Sequence, residues 1–486
     1  MKKFSLVKSV LVLVVTSCVL LIASVVYAGN QEGKVPITTS SEKALKYFLQ
    51  GRDLDEKLRL QEAIKFFEMA VSEDRNFAMG CFYLSSIQPN LKKSRENLNK
   101  AVALVEKVSE GERLWILAAQ AGVNGFPMKQ KEYLQKLVAA YPNDERAQYI
   151  LGSFYFFREE YTQAIEVWKK AIKIAPDFSL PYNLMAYAYK SLGEYTEAEK
   201  AIKKYIQLIP DDPNPYDSYG ELLMKMGKFD ESVTLYQKAL SIDPNFVSSH
   251  IGIASDLNFK GKHEEAREQL KKLYNIARDD GERSAVFFAN TISYVDEGKL
   301  DKALEEQIKQ YALAEKNNEA SEMSTILVTM ANILLEVHKY DEALRKYEKA
   351  VEVIEGSGFS KEVKETSTRD YLYNAGLVAL SKEDFPTAKA KYEEYRKQVE
   401  LTKDIIRIRR SHELAGRIAL AEKDYNKSLP ELQQADQESP SNLYLMALAY
   451  KGNGDTESFN EFYRKAVNCN AINSLDYAFV RNKVKK

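Results

Sequence analysis

The chain has 486 residues, 45% of them hydrophobic and 29% charged, with 69 basic against 70 acidic residues and only 13 prolines and 21 glycines. That composition excludes a disordered or low-complexity chain, and the balanced charge gives no basic stripe for nucleic acid. Three cysteines, Cys18, Cys81 and Cys469, with no CxxC pair among them, exclude a disulfide-stapled fold and a zinc ribbon.

Residues 1–28 read as an export signal. Lys2, Lys3 and Lys8 are followed by an uncharged run from Ser9 to Asn30 dense in Val and Leu, ending at Val26-Tyr27-Ala28 with small residues where a signal peptidase cuts. Two alternatives stay open. The run approaches the length of a bilayer span, which would make it an uncleaved anchor. Val15-Thr16-Ser17-Cys18 also resembles a lipobox, which would lipidate Cys18. Each alternative places the rest of the chain outside the cytoplasm, most simply in a periplasm. Residues 29–41, polar and carrying Pro36 and Thr38-Thr39-Ser40-Ser41, read as a linker.

From there a repeat takes over. Pro142, Pro176, Pro210 and Pro244 stand 34 residues apart. Between them one pattern recurs: Leu151-Gly152 and Tyr155, then Ala164, Trp168 and Ala171 before Pro176; Tyr219-Gly220 and Leu223, then Ser232, Tyr236 and Ala239 before Pro244. Apolar residues recur at three- and four-residue steps, as in Ile150, Leu151, Phe154, Tyr155 and Phe157, so each half of the unit is a helix. Glu159-Glu160 in one unit and Gly193 in the next mark the turn between the halves, and the proline closes the second helix. A period of roughly 34 with these small and aromatic positions resembles the tetratricopeptide repeat (TPR) family.

The resemblance implies an all-α fold, an α-solenoid in which helix-turn-helix units stack as a right-handed superhelix, because one pair cannot bury its own apolar faces. Small residues at the start of each second helix, Ala63, Asn97, Gln130, Ala164, Ala198, Ser232 and Ala266, are spaced by 33 or 34. Ala303, Ala343, Ala388 and Ser428 follow at 37 to 45. The expected organisation is a regular array over 42–281, about seven repeats, and a longer, divergent array over 282–470, about five repeats. Residues 471–486 then form a cap with a basic tail. Glu355 to Thr366, with Gly356-Ser357-Gly358, reads as a flexible joint. Ser428-Leu429-Pro430-Glu431 reads as a capping box with proline at N1, which would start that helix late.

Nothing in the chain gathers catalytic or metal-binding groups. His250, His263, His338 and His412 fall in four different repeats, no phosphate-binding glycine loop occurs, and Asp211-Asp212-Pro213-Asn214-Pro215 lacks the glycine and glutamate of a calcium loop. The expectation is therefore no enzyme, no cofactor, no metal and no nucleic acid. Binding remains. On the first helices the positions at i, i+4 and i+7 that point into the concavity read Tyr149, Ser153 and Phe156; then Asn183, Tyr187 and Lys190; then Asp217 and Glu221. Such a stripe suits an extended peptide or an inserted helix. The carboxylate clamp that the resemblance implies has only Asn183 and Lys190 here, with Asp217 and Glu221 opposed to it. Arg407, Arg409, Arg410 and Arg417 form a second feature, a charged helix face open to an acidic partner or to solvent. The expected function is a non-catalytic protein–protein interaction scaffold of a bacterial-type cell envelope. The alternative is a membrane-tethered structural component, held through residues 1–28, that uses its outer surface. Self-association stays open.

Overall fold

The computed structural model describes residues 26–27, 33–88 and 90–485. The expected leader, including Ala28 and Cys18, lies outside the described residues apart from a two-residue strand, β1 (Val26–Tyr27), paired antiparallel with β2 (Thr38–Thr39). Everything else regular among the described residues is helical. Among the described residues twelve helix pairs follow one another: α1 (Glu42–Glu56) with α2 (Leu60–Glu73), α3 (Ala78–Ile87) with α4 (Leu91–Val102), α5 (Glu110–Val123) with α6 (Pro127–Ala140), α7 (Glu145–Phe156) with α8 (Tyr161–Ile174), α9 (Leu180–Ser191) with α10 (Tyr195–Leu208), and α11 (Asn214–Lys225) with α12 (Phe229–Ile242). The second six are α13 (Val247–Phe259) with α14 (His263–Ile276), α15 (Asp280–Glu297) with α16 (Leu300–Lys316), α17 (Ala320–Glu336) with α18 (Tyr340–Glu355), α19 (Lys361–Ser381) with α20 (Phe385–Thr402), α21 (Ile405–Ala421) with α22 (Tyr425–Gln434), and α23 (Pro440–Gly452) with α24 (Thr456–Val467). A single helix, α25 (Leu475–Lys485), ends the chain. The fold is an all-α solenoid.

The repeat works because a glycine and a large ring meet where the two helices of a pair cross. A Cβ on Gly152 would lie 2.4 Å from Nε1 of Trp168, and one on Gly220 would lie 2.9 Å from Cε1 of Tyr236. The ring occupies the space the missing side chain leaves, and the small residue one turn earlier, Ala164 or Ser232, is fully buried. Ser232 and Ser428 each donate a hydroxyl hydrogen bond across the same crossing, to the Gly220 and Gly416 carbonyls. The closing proline has a further use. Its carbonyl accepts from the side chain six residues on, Tyr182 on Pro176 and Tyr216 on Pro210, and His250 takes the equivalent place beside Pro244.

The longer period after residue 282 comes from longer helices. The helices α7 to α14 have 12 to 14 residues, whereas α15 to α21 have 16 to 21. The loop expected to run from Glu355 to Thr366 is shorter than that, since α19 begins at Lys361 under a Ser360 cap. The late helix start at Pro430 is corrected. Asp424 caps Lys427 instead, α22 begins at Tyr425, and Pro430 lies inside it. Ser428, taken as the cap, is needed in the helix crossing with Gly416, and an earlier start is what places it there.

The described residues divide into two compact units, one of those up to 120 with 132–147, the other of 121–131 with those from 148 onward. In the first unit, residues 33–41 are packed, although their polar composition reads as a linker. Val35, Ile37 and Thr39 are buried while Pro36, Thr38 and Ser40 are not, the alternation of an extended strand. Three acids hold this strap by its backbone: Asp74, just past the end of α2, accepts from the Ser40 N–H, Glu112 in the first turn of α5 from Thr38, and Asp144, just before α7, from Val35, at 2.8 to 2.9 Å.

In the second unit the array returns to itself after about seven repeats of roughly 34 residues. Ser360 donates to the Asn124 carbonyl 236 residues earlier, and Lys225 donates to the Cys469 carbonyl 244 residues later. Arg158 and Glu159 face Asp404 and Arg409 between these points. Helix α25 closes the series. It packs Ala478 and Phe479 against Ile292, Val295 and Ile333, and pairs Arg481 with Asp296 and Lys483 with Glu336.

Candidate peptide-binding surface

The eight stripe residues all lie in the second unit, on α7, α9 and α11, and the structure distributes them in two groups. Tyr149 and Phe156 are half-buried and pack into the core of their own repeat. The Tyr149 ring meets Phe178 at 5.5 Å, its carbonyl accepts from the Trp168 indole at 3.0 Å, and Phe156 lies 5.8 Å from the Trp168 ring. Ser153 turns its hydroxyl back on the Tyr149 carbonyl. This follows from the helix itself, since a serine in mid-helix bonds the carbonyl four residues before it.

Of the remaining five, Asn183, Tyr187, Lys190 and Glu221 form one hydrogen-bonded network across two repeats, joined through the Ser218 hydroxyl, and Asp217 lies beside it. The Tyr187 hydroxyl donates to Glu221 at 2.9 Å, Lys190 forms an ion pair with the same carboxylate, and the Lys190 ammonium stands 4.3 Å from the Tyr187 ring. Lys190 and Glu221 keep 16% and 19% of their side-chain exposure, so the pair is the accessible edge of the network. Beneath it Asn183 accepts from Ser218 at 2.9 Å and donates to Asn214, which also accepts from the Tyr205 hydroxyl. Asp217 is buried and accepts from Ser249 at 2.7 Å.

Charge in this network is governed by burial. Asp217 is pushed up to about 7, because burial disfavours the carboxylate and the Glu221 charge adds to it, while the Ser249 hydrogen bond opposes both. Burial and the Glu221 and Asp217 charges also hold Tyr187 well above its ordinary value, so it stays a hydroxyl donor. The network can present one ammonium, one carboxylate and an aromatic face to a ligand. It has no activated nucleophile and no paired acid and base.

The sequence did not single out Asn214, Ser218 and Ser249, which complete the network. Their signal was available, because each lies about one repeat from the side chain it meets. The second expected feature resolves into internal pairs. Arg407 and Arg410 hold Asp370, Arg407 also holds Asp404, Arg409 faces Glu159, and Arg417 binds Glu413. The four histidines stay apart: His250 beside Pro244, His263 on Asp296, His338 on the Tyr340 hydroxyl, His412 on Glu431. Among the described residues no cluster of His, Cys, Asp and Glu could hold a metal ion.

Tetratricopeptide repeat family models match residues 152–193 and 181–212, and the model of the soluble NSF attachment protein family, SNAP, matches residues 227–426. No curated protein matches the chain. Among solved structures, MamA from Desulfovibrio magneticus RS-1 is similar at 19% identity and a TM-score of 0.30 over 35% of this chain and 96% of its own. A tetratricopeptide repeat protein from Parabacteroides merdae ATCC 43184 is similar at 17% identity and a TM-score of 0.37, over 54% of this chain and 99% of its own. The human IFIT1 dimer with PPP-AAAA is similar at 16% identity and a TM-score of 0.40, over 88% and 91%.

Proposed function

We propose that this chain, which carries tetratricopeptide repeats, is a non-catalytic protein–protein interaction scaffold of a cell envelope that holds an extended peptide or a helix of its partner on the surface of α7, α9 and α11. The observation that supports it most is the Tyr187–Lys190–Glu221 edge, where first helices of adjacent repeats offer an aromatic face and both charges at one place. A peptide would lay its backbone polar groups against that edge and a side chain on the Tyr187 ring. The envelope location rests on the leader-like composition of residues 1–28.

The test is crosslinking of the tagged full-length protein in cells, with mass spectrometry of the captured chains. A dominant partner crosslinked between Tyr149 and Glu221, and lost from a Tyr187→Ala/Lys190→Ala variant that retains its helical circular dichroism, is the expected result. A partner captured equally by that variant sinks the assignment. A second reading, structural assembly through the outer surface, draws support from apolar side chains exposed on second helices, Ile308 at 61% on α16 and Tyr274 at 40% on α14. Crosslinks confined to α14 and α16, with the chain staying in the membrane fraction after a salt wash, would favour it.

A further inference from the structure

A cavity of about 250 Å³ lies in the first unit, between the strap and helices α1, α3 and α5, with the start of α7 at one side. The hydrogen-bonding capacity of its surroundings is one-sided. Asp144 engages both oxygens, on the Val35 and Ala147 N–H groups. Glu145 holds Lys34 and Arg146, and next to the wall Glu56 grips Arg146 through both of its oxygens. The lining carboxylates are committed, as are Lys34 and Arg146, whereas three other donors are not hydrogen-bonded. Arg52 stands 3.8 Å from the already occupied Glu56, too far for a hydrogen bond, with its guanidinium over the Phe48 ring. Among the described residues no hydrogen bond reaches the Tyr83 hydroxyl, and the buried Trp115 indole N–H has no acceptor.

A wall that still offers donors, with both of its carboxylates already hydrogen-bonded, selects a ligand rich in acceptors. A guanidinium with no hydrogen-bonded partner favours an anion, and its planar fork matches a carboxylate in two parallel hydrogen bonds. Val35, Ile37 and Leu49 supply the apolar side of the same cavity. We propose that this cavity binds a small organic acid, with its carboxylate on Arg52 and the Tyr83 hydroxyl and a compact apolar body against Val35, Ile37 and Leu49. The site belongs to a different unit from the α7–α11 surface, so it stands or falls independently of the proposed scaffold role. Because Val35 and Ile37 are strap residues, the ligand also fastens the strap.

The experiment is isothermal titration calorimetry of the full chain at low ionic strength, with phenylacetate, 4-methylpentanoate and the neutral phenylacetamide. Saturable binding of at least one acid and none of the amide is expected. The affinity should fall tenfold or more in Arg52→Gln, since a charge-assisted pair is lost, and a few-fold in Tyr83→Phe. Tyr83→Phe retains the ring that packs 5.1 Å from Phe48 and 6.3 Å from Trp115, so it tests the hydroxyl even if the arginine variant does not fold. No saturable heat from either acid overturns the proposal. So does binding left unchanged by Tyr83→Phe and Arg52→Gln, or binding of a peptide ending in phenylalanine when the free acids do not bind.

Discussion

Asp256 is the residue whose chemistry sets it furthest from the repeat pattern. It lies near the end of α13, fully buried, and neither carboxylate oxygen has a hydrogen-bond partner among the described residues. Burial pushes it up to about 7, with Lys260 opposing the shift and Asp230 adding to it. The folded chain thus holds a proton here that the unfolded chain releases at about 3.9. The stability that the neutral form contributes is complete below about pH 4 and is lost as pH rises through about 7. Asp256→Asn fixes the neutral shape. It should be more stable than the parent at pH 8, by roughly 1 to 3 kcal/mol, and lose less stability between pH 5 and 7, the remaining slope coming in part from Asp217. Denaturant midpoints across that range are the measurement, and an unchanged slope removes Asp256 from the account. Nothing local in the sequence marks Asp256. The Gly152–Trp168 and Gly220–Tyr236 crossings, by contrast, were legible, because each pairs a fixed spacing with an extreme of size.

At the scale of the element, the turn inside every described pair but α3–α4 has one requirement that the sequence meets in two ways. Gly125, Gly193, Gly227, Gly261, Gly298 and Gly454 take a positive φ there, and Leu58, Glu159, His338, Glu383 and Lys423 do so without being glycine. A side chain in the left-handed region costs roughly 1 to 2 kcal/mol. Lys423→Gly relieves that strain but loosens the unfolded chain, so a net gain of about 0.5 to 1 kcal/mol in unfolding free energy is expected. Lys423 is exposed, which keeps the comparison free of packing. A lower melting temperature for the variant would show that the turn is not strained. The turns were readable where glycine stood in them and unreadable elsewhere, since conformation there is imposed by the helices on either side. The strap was misread for a related reason. Its alternation of Val35, Ile37 and Thr39 was present, but composition alone said linker, and the acids that hold it stand as far as 109 residues away.

For the second unit as a whole, the contacts at a spacing of about seven repeats decide how the array ends. Arg481, whose partners stand 185 to 223 residues before it, anchors the last helix beside those contacts. It donates to Asp296 at 2.6 Å and to the Asn258 carbonyl at 3.2 Å, and lies over the Phe259 ring, while Asp296, with 2% of its side chain exposed, also holds His263. Arg481→Ala would remove the guanidinium from a buried carboxylate that His263 still holds, a loss of up to about 3 to 5 kcal/mol where such pairs have been broken. The expected readout is faster hydrogen exchange across α25, with α7 to α12 unchanged. Equal protection of residues 475–485 in both proteins would show that the helix is held by Ala478 and Phe479 alone. The sequence by itself determined the all-α repeat and the residues at each helix crossing, because those depend on neighbours within about one period of 34. Tertiary structure alone decided that the Lys190–Glu221 edge forms, that the basic tail binds Asp296 and Glu336, and that a donor-lined cavity lies under the strap. Each of these joins residues from different repeats, and a local pattern carries no record of which distant side chain will arrive beside it.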